Sequence, residues 1–95
     1  MKRNDIESRI SKIILENTVM SSVYSRLNYD TDIVTDLGYD SVTTIAVISE
    51  LENEFNIEFE VEELISDTIS KYGRICDAVV AKIENKRESL QWAVN

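Results

Sequence analysis

The segment DLGYDSV, residues 36 to 42, delivers an Asp–Ser pair, Asp40 and Ser41, from a glycine turn to the start of an apolar run. Two chemistries suit a serine in that place. Its hydroxyl can cap the free N–H groups of a helix start, or it can be held out for covalent modification. A phosphate ester there is tolerated, because those N–H groups and the helix dipole favour negative charge by about 0.3–1 kcal/mol. No local base activates the serine: the chain has no His and a single Cys, Cys76. Ser–His and Cys–His catalysis are excluded for the same reason, as are the usual zinc sets and an intramolecular disulfide. Cys76 lies in an apolar helical stretch and reads as a small buried hydrophobe. The many carboxylates read as a solvated face, with no pocket to perturb them. A calcium loop over residues 30–41 fails, since Val34 and Thr35 stand where a ligand and a glycine are needed and Ser41 replaces the closing Glu. An enzyme is the least expected class.

Three segments have the period of helices that could position the pair. Ile6, Ile10, Ile13 and Ile14 follow i, i+4, i+7, i+8. Asn4 with Glu7 predicts a capping box ahead of them, and this helix is expected to run to about Glu16. A second helix is predicted from Asp40 or Ser41 to about Phe55. On a wheel of 100° per residue, Val47, Ile48, Leu51 and Phe55 share one quadrant, the expected core face. Val42 and Ile45 fall opposite, with Ser49 between them, and Ser41 opens the helix beside that outer pair. A cluster of exposed branched residues at one helix end reads as a contact patch. A short third helix is expected over Val61 to Ile65. The last is expected from about Arg74 to Lys86, with Ile75, Val79, Val80 and Ile83 facing inward.

Residues 17 to 39 form a long connection, and loops of that length tend to be functional. A helical turn around Ser21 to Leu27 is one reading of it, and Ile33, Val34 and Leu37 are expected to pin it to the core. The predicted fold class is all-α: a small four-helix bundle of three main helices plus one short one. Ninety-five residues make one domain, placed at residues 1–86, with a C-terminal tail at 87–95 that holds Trp92. No stretch reaches the roughly 18 apolar residues of a membrane span, and the charged N-terminus lacks a signal's apolar core. A cytoplasmic monomer is expected.

Net charge is −8 and unevenly spread: Leu27 to Ser70 contains twelve acids and no Lys or Arg. Such a surface repels phosphate backbones, so nucleic acid is excluded as a partner. It steers toward proteins that present basic patches.

Together these residues resemble a known family. DLGYDSVTTIAVISELENEFNIEFEVEEL, residues 36–64, is similar to the central motif of the acyl carrier proteins. The matching positions are Asp36, Leu37, Gly38, Asp40, Ser41, Glu52, Glu54 and Phe55, with residues 57–64 a looser match. The resemblance implies that Ser41 receives a 4′-phosphopantetheine arm from coenzyme A, transferred by a separate phosphopantetheinyl transferase. The arm's thiol would carry acyl groups as thioesters, and acyl chains in this family can shelter among the bundle's apolar side chains. Asp40 is implied to help dock the transferase and its metal. Val42 and Ile45 are implied to touch acyl-loading and acyl-processing enzymes, with Glu50, Glu52 and Glu54 supplying charge toward basic patches. Val42 stands where the family usually has Leu, and Glu60 where a proline often precedes the third helix. Thr43 and Ala46 replace acids usual in carriers of general fatty acid synthesis. That departure favours a dedicated carrier for a polyketide or other specialised acyl pathway. Two alternatives remain: a free-standing peptidyl or aminoacyl carrier, and an unmodified acidic interaction domain in which Ser41 only caps.

Overall fold

Ile6, Ile10 and Ile14 are all buried along α1 (Arg3–Glu16), as a stripe at this spacing must be once it meets a partner. The computed structural model describes residues 2–18, 27–64 and 69–94, with only the backbone of 87–94. Helix α2 (Ser41–Phe55) buries Val47, Ile48 and Leu51 on one face and leaves Phe55 half-buried. The short α3 (Val61–Leu64) follows, then α4 (Tyr72–Val94), which contributes Ile75, Cys76 and Val79 to the centre of the core. Val80 and Ile83 are partly buried against it. Helix α1 packs against both α2 and α4, so the described residues form the four-helix arrangement of three main helices and one short one.

Both ends of α2 are fixed by identifiable bonds. At its end Asn56 takes the left-handed conformation (φ 53°, ψ 53°) and its N–H donates to the Glu52 carbonyl. Asn is one of the few residues that visit that region readily. The Lys86 ammonium on α4 donates to the Asn56 carbonyl at 2.8 Å. Helix α3 is held by Glu63, whose carboxylate accepts from the Glu60 N–H at 2.7 Å and from Lys82 on α4 at 2.6 Å.

The connection before α2 is ordered by the core and by α4. Ile33 and Leu37 are 1% exposed. Val34, expected to pin the loop, is 48% exposed instead, because residues 33–37 form a turn that rotates it outward. Its place is taken by Tyr39, buried, whose hydroxyl donates to the Ile14 carbonyl at 2.7 Å. Three backbone bonds join this connection to the start of α4: Ile33 N–H to Ser70 O (2.8 Å), Tyr72 N–H to Thr31 O (2.9 Å) and Gly73 N–H to Tyr29 O (2.9 Å).

Other boundaries differ from the sequence expectations. Helix α1 starts at Arg3, with Lys2 as its N-cap and no side-chain cap bond. Asn4 is therefore inside the helix and the predicted box does not form. Glu7 instead accepts from the Arg3 guanidinium at 2.7 Å. The backbone of α4 continues past Lys86 to Val94 and begins two residues before Arg74. The possible turn at Ser21 to Leu27 lies, but for Leu27, outside the described residues, as does Ile65.

Candidate functional site

Gly38 turns the chain into α2 with φ +72°, and a Cβ built there would meet nothing within 4 Å. The requirement for glycine is thus conformational rather than steric. Tyr39 follows, held by its N–H on the Ile33 carbonyl at 3.0 Å. Asp40 is extended (φ −99°, ψ 179°) and is the N-cap of α2: its carboxylate accepts from the Thr43 N–H at 2.7 Å. Ser41, expected as a cap, is the first helical residue. The Asp40 side chain makes the cap bond, so the cap does not occupy the Ser41 hydroxyl. The Thr43 N–H holds the Asp40 carboxyl below the usual carboxylate range, outweighing desolvation.

Ser41 is exposed, and the predicted apolar pair flanks it: Val42 is 76% exposed and Ile45 62%. Ala46 and Ser49 are also exposed on α2. No acid lies in the helix's first turn; along α2 the residues following Ser41 carry no charge as far as Ser49, and Asp40 is the acid that immediately precedes the serine. Thr44 is buried behind it, its hydroxyl donating to the Asp40 carbonyl at 2.8 Å. That bond and the Thr44 N–H, 3.0 Å from the same oxygen, fix the first turn under the serine.

The three acids expected to face partners have separate settings. Glu50 is exposed, with Asn17 Nδ2 at 3.3 Å from its carboxylate. Glu52 is half-buried and accepts from the Phe59 N–H at 2.9 Å, so it ties α2 to the connection leading to α3. Glu54 pairs with Arg9 of α1 at 2.7 Å. The structure therefore brings Asp40, Ser41, Val42 and Ile45 together at one helix end and places the three acids farther along. Two surface depressions flank α2's later turns; one is lined by residues including Asn53, Asn56, Phe59 and Lys86, the other by Arg9, Lys12, Glu50 and Glu54. Neither includes Ser41.

Tyr39 was not foreseen as part of the site. A tyrosine inside DLGYDS carries no periodic signal, since the turn around it has none. The signal available was its type: a large aromatic in a loop of small and acidic residues usually anchors it. Burial raises its hydroxyl pKa far above the ordinary value. Burial also pushes the Cys76 thiol up to about 11, so Cys76 is the inert hydrophobe expected.

The family model described as phosphopantetheine attachment site matches residues 21–79. The acyl carrier protein of Buchnera aphidicola subsp. Acyrthosiphon pisum (strain Tuc7) is 41% identical over 59 residues, covering 62% of this chain and 71% of that protein. The acyl carrier protein of strain APS matches to the same extent. Among solved structures, the crystal structure of an acyl carrier protein from Thermotoga maritima superposes with a TM-score of 0.65 at 24% identity, covering 90% of this chain and 94% of that one. At that identity the likeness speaks for the fold.

Proposed function

The chain belongs to the acyl carrier protein family, whose members bear a covalent 4′-phosphopantetheine group, and we propose that this group is esterified to Ser41 and carries acyl intermediates as thioesters. The observation that carries the assignment is the division of labour at the start of α2: Asp40 caps, and Ser41 stands exposed beside it. An exposed hydroxyl on a convex helix end fits an arm that must reach into other proteins' sites.

Attachment forms one bond from the Ser41 oxygen to the phosphorus next to pantetheine. The pyrophosphate bridge of coenzyme A breaks, adenosine 3′,5′-bisphosphate leaves with the bridging oxygen, and the serine proton passes to a base supplied by the transferase. This chain presents and orients the hydroxyl. Once attached, the group supplies an accessible thiol for acyl exchange, which the buried Cys76 does not offer. Val42 and Ile45 offer apolar contact to the transferase and to acyl-processing enzymes, and Glu50 offers a charge at the patch's edge. Glu52 and Glu54 engage neighbours within the fold, so they contribute more to the field than to direct contact. Asp40, beside the serine, would help dock the transferase and its metal as well as cap. The carrier unit is taken as residues 1–86, with 87–94 continuing α4. The uncharged first turns of α2, with Thr43 and Ala46, support a dedicated carrier for a specialised acyl or polyketide pathway.

Intact-protein mass spectrometry after incubation with coenzyme A and a broad-specificity phosphopantetheinyl transferase tests the assignment. One added phosphopantetheinyl group is expected, and none in Ser41→Ala. Wild type left unmodified by several such transferases would favour the unmodified interaction domain. Loading of the modified protein from an aminoacyl adenylate, and not from acyl-CoA or acyl-AMP, would point to an aminoacyl carrier.

A further inference from the structure

We infer that Gly73, on α4 and remote in sequence from the attachment serine, is a positioning residue for the modification of Ser41, acting through Tyr29 and Ile33. The inference rests on the assignment of Ser41 above. Its starting point is a close approach. A Cβ at Gly73 would lie 2.4 Å from Cγ and Cδ1 of Tyr29 and 2.6 Å from its Cδ2. The Tyr29 ring therefore lies against bare helix backbone, in space that any side chain at 73 would fill. Two further bonds hold it there. The Gly73 N–H donates to the Tyr29 carbonyl at 2.9 Å, and the Tyr29 hydroxyl donates to Asp77, one turn along α4. Asp77 is in turn paired with Arg3 of α1 at 2.5 Å.

From this contact a short relay of backbone bonds leads to the serine. The Tyr72 N–H donates to Thr31 O, which sets the loop in register with the start of α4. These loop carbonyls also satisfy N–H groups that a helix start leaves without intrahelical partners. Ile33 is bonded through both its backbone groups: its N–H to Ser70 O at 2.8 Å, and its carbonyl to the Tyr39 N–H at 3.0 Å. Tyr39 directly precedes the capping Asp40. Between them the turn is closed by Asp32 and Asp36, the Asp36 carboxylate accepting from the Asp32 N–H at 2.9 Å. The position of Asp40 and Ser41 is thus set from two sides, by α2 itself and by the seam to α4. Tyr29 is 53% exposed, so its ring adds little to the core; its contacts serve to hold the loop.

If the seam opens, the loop samples arrangements a transferase does not accept. The apparent affinity then falls by the fraction of chains still docked, with the rate of bound chains unchanged. The signature is a raised KM for the carrier at near-constant kcat.

Transfer kinetics with coenzyme A and one broad-specificity transferase, on the full chain, test this. Gly73→Ala is expected to raise KM about 10-fold, the value for a loop docked in roughly one chain in ten. Amide exchange at Ile33 and Tyr39 should rise, with that of α2 unchanged. Tyr29→Ala, at an exposed position, tests the same seam in a chain whose core is untouched, and its KM should also rise. The double variant, which gives the new Cβ room, should have a KM no higher than Tyr29→Ala alone. Three results overturn the inference: unchanged KM in either single variant, a double variant with a KM above that of Tyr29→Ala, or a fall in kcat together with lost helicity. Wild type that is never modified overturns the assignment of Ser41 and this inference with it; modified wild type with indifferent variants overturns this inference alone.

Discussion

Asp40 and Ser41 share a task that either could perform. Both residue types cap helices well, so the order of the pair in the sequence leaves the cap ambiguous. The backbone decides: Asp40 is extended and Ser41 helical. Exposure of Ser41 was legible, because it followed from the wheel; its release from capping was not. The cap has a pH signature. Held by the Thr43 N–H, the Asp40 carboxyl sits below its ordinary range. Its contribution to stability is present above the ordinary pKa of about 4 and is lost as pH falls through the lowered value. Asp40→Asn keeps a capping oxygen without the titration. Thermal melts from neutral to acid pH should therefore show a shallower fall for Asp40→Asn than for wild type, with similar melting temperatures near the acid end.

At the scale of elements, α2 was the most legible part of the chain. Fifteen residues span about four turns, enough for the 3.6 period to separate buried Val47, Ile48 and Leu51 from exposed Val42 and Ile45. Ile45→Glu is expected to leave helicity and melting temperature close to wild type while slowing transfer with partner enzymes. Leu51→Ala, at a fully buried position, should cost about 2–5 kcal/mol by denaturant unfolding. A large loss of helicity in Ile45→Glu would show that this residue is core. The loop was least legible. Its order comes from partners far along the chain, and a local pattern cannot announce them. Tyr39 takes the role expected of Val34 for that reason. The start of α1 failed differently: Arg3, paired with both Glu7 and Asp77, draws the helix back past the local capping signal.

Over the whole molecule, cations and acids are sorted by element. Arg9 and Lys82 reach from α1 and α4 to Glu54 and Glu63, while the stretch from Leu27 to Ser70 supplies none of its own. The uneven charge was plain in the sequence; which acids are engaged within the fold was not. Screening separates steering from contact, since exposed charges interact over about 8 Å at physiological ionic strength. Raising salt is expected to slow association with a basic transferase several-fold, measured as kcat/KM. Glu50→Gln should lower that salt dependence, and Val42→Ala should leave it unchanged while lowering the rate.

The seam between the loop and α4 also has a consequence for the order in which the molecule assembles. Its backbone bonds join residues roughly 40 positions apart, so they repay a loop-closure cost that the helices' own bonds never meet. Helices form within about a microsecond, and contacts of long sequence separation follow. A newly made chain therefore acquires its helices before the turn that carries Ser41 is docked. On the proposed assignment of Ser41, the docked turn that a transferase would accept waits on the closing of this seam.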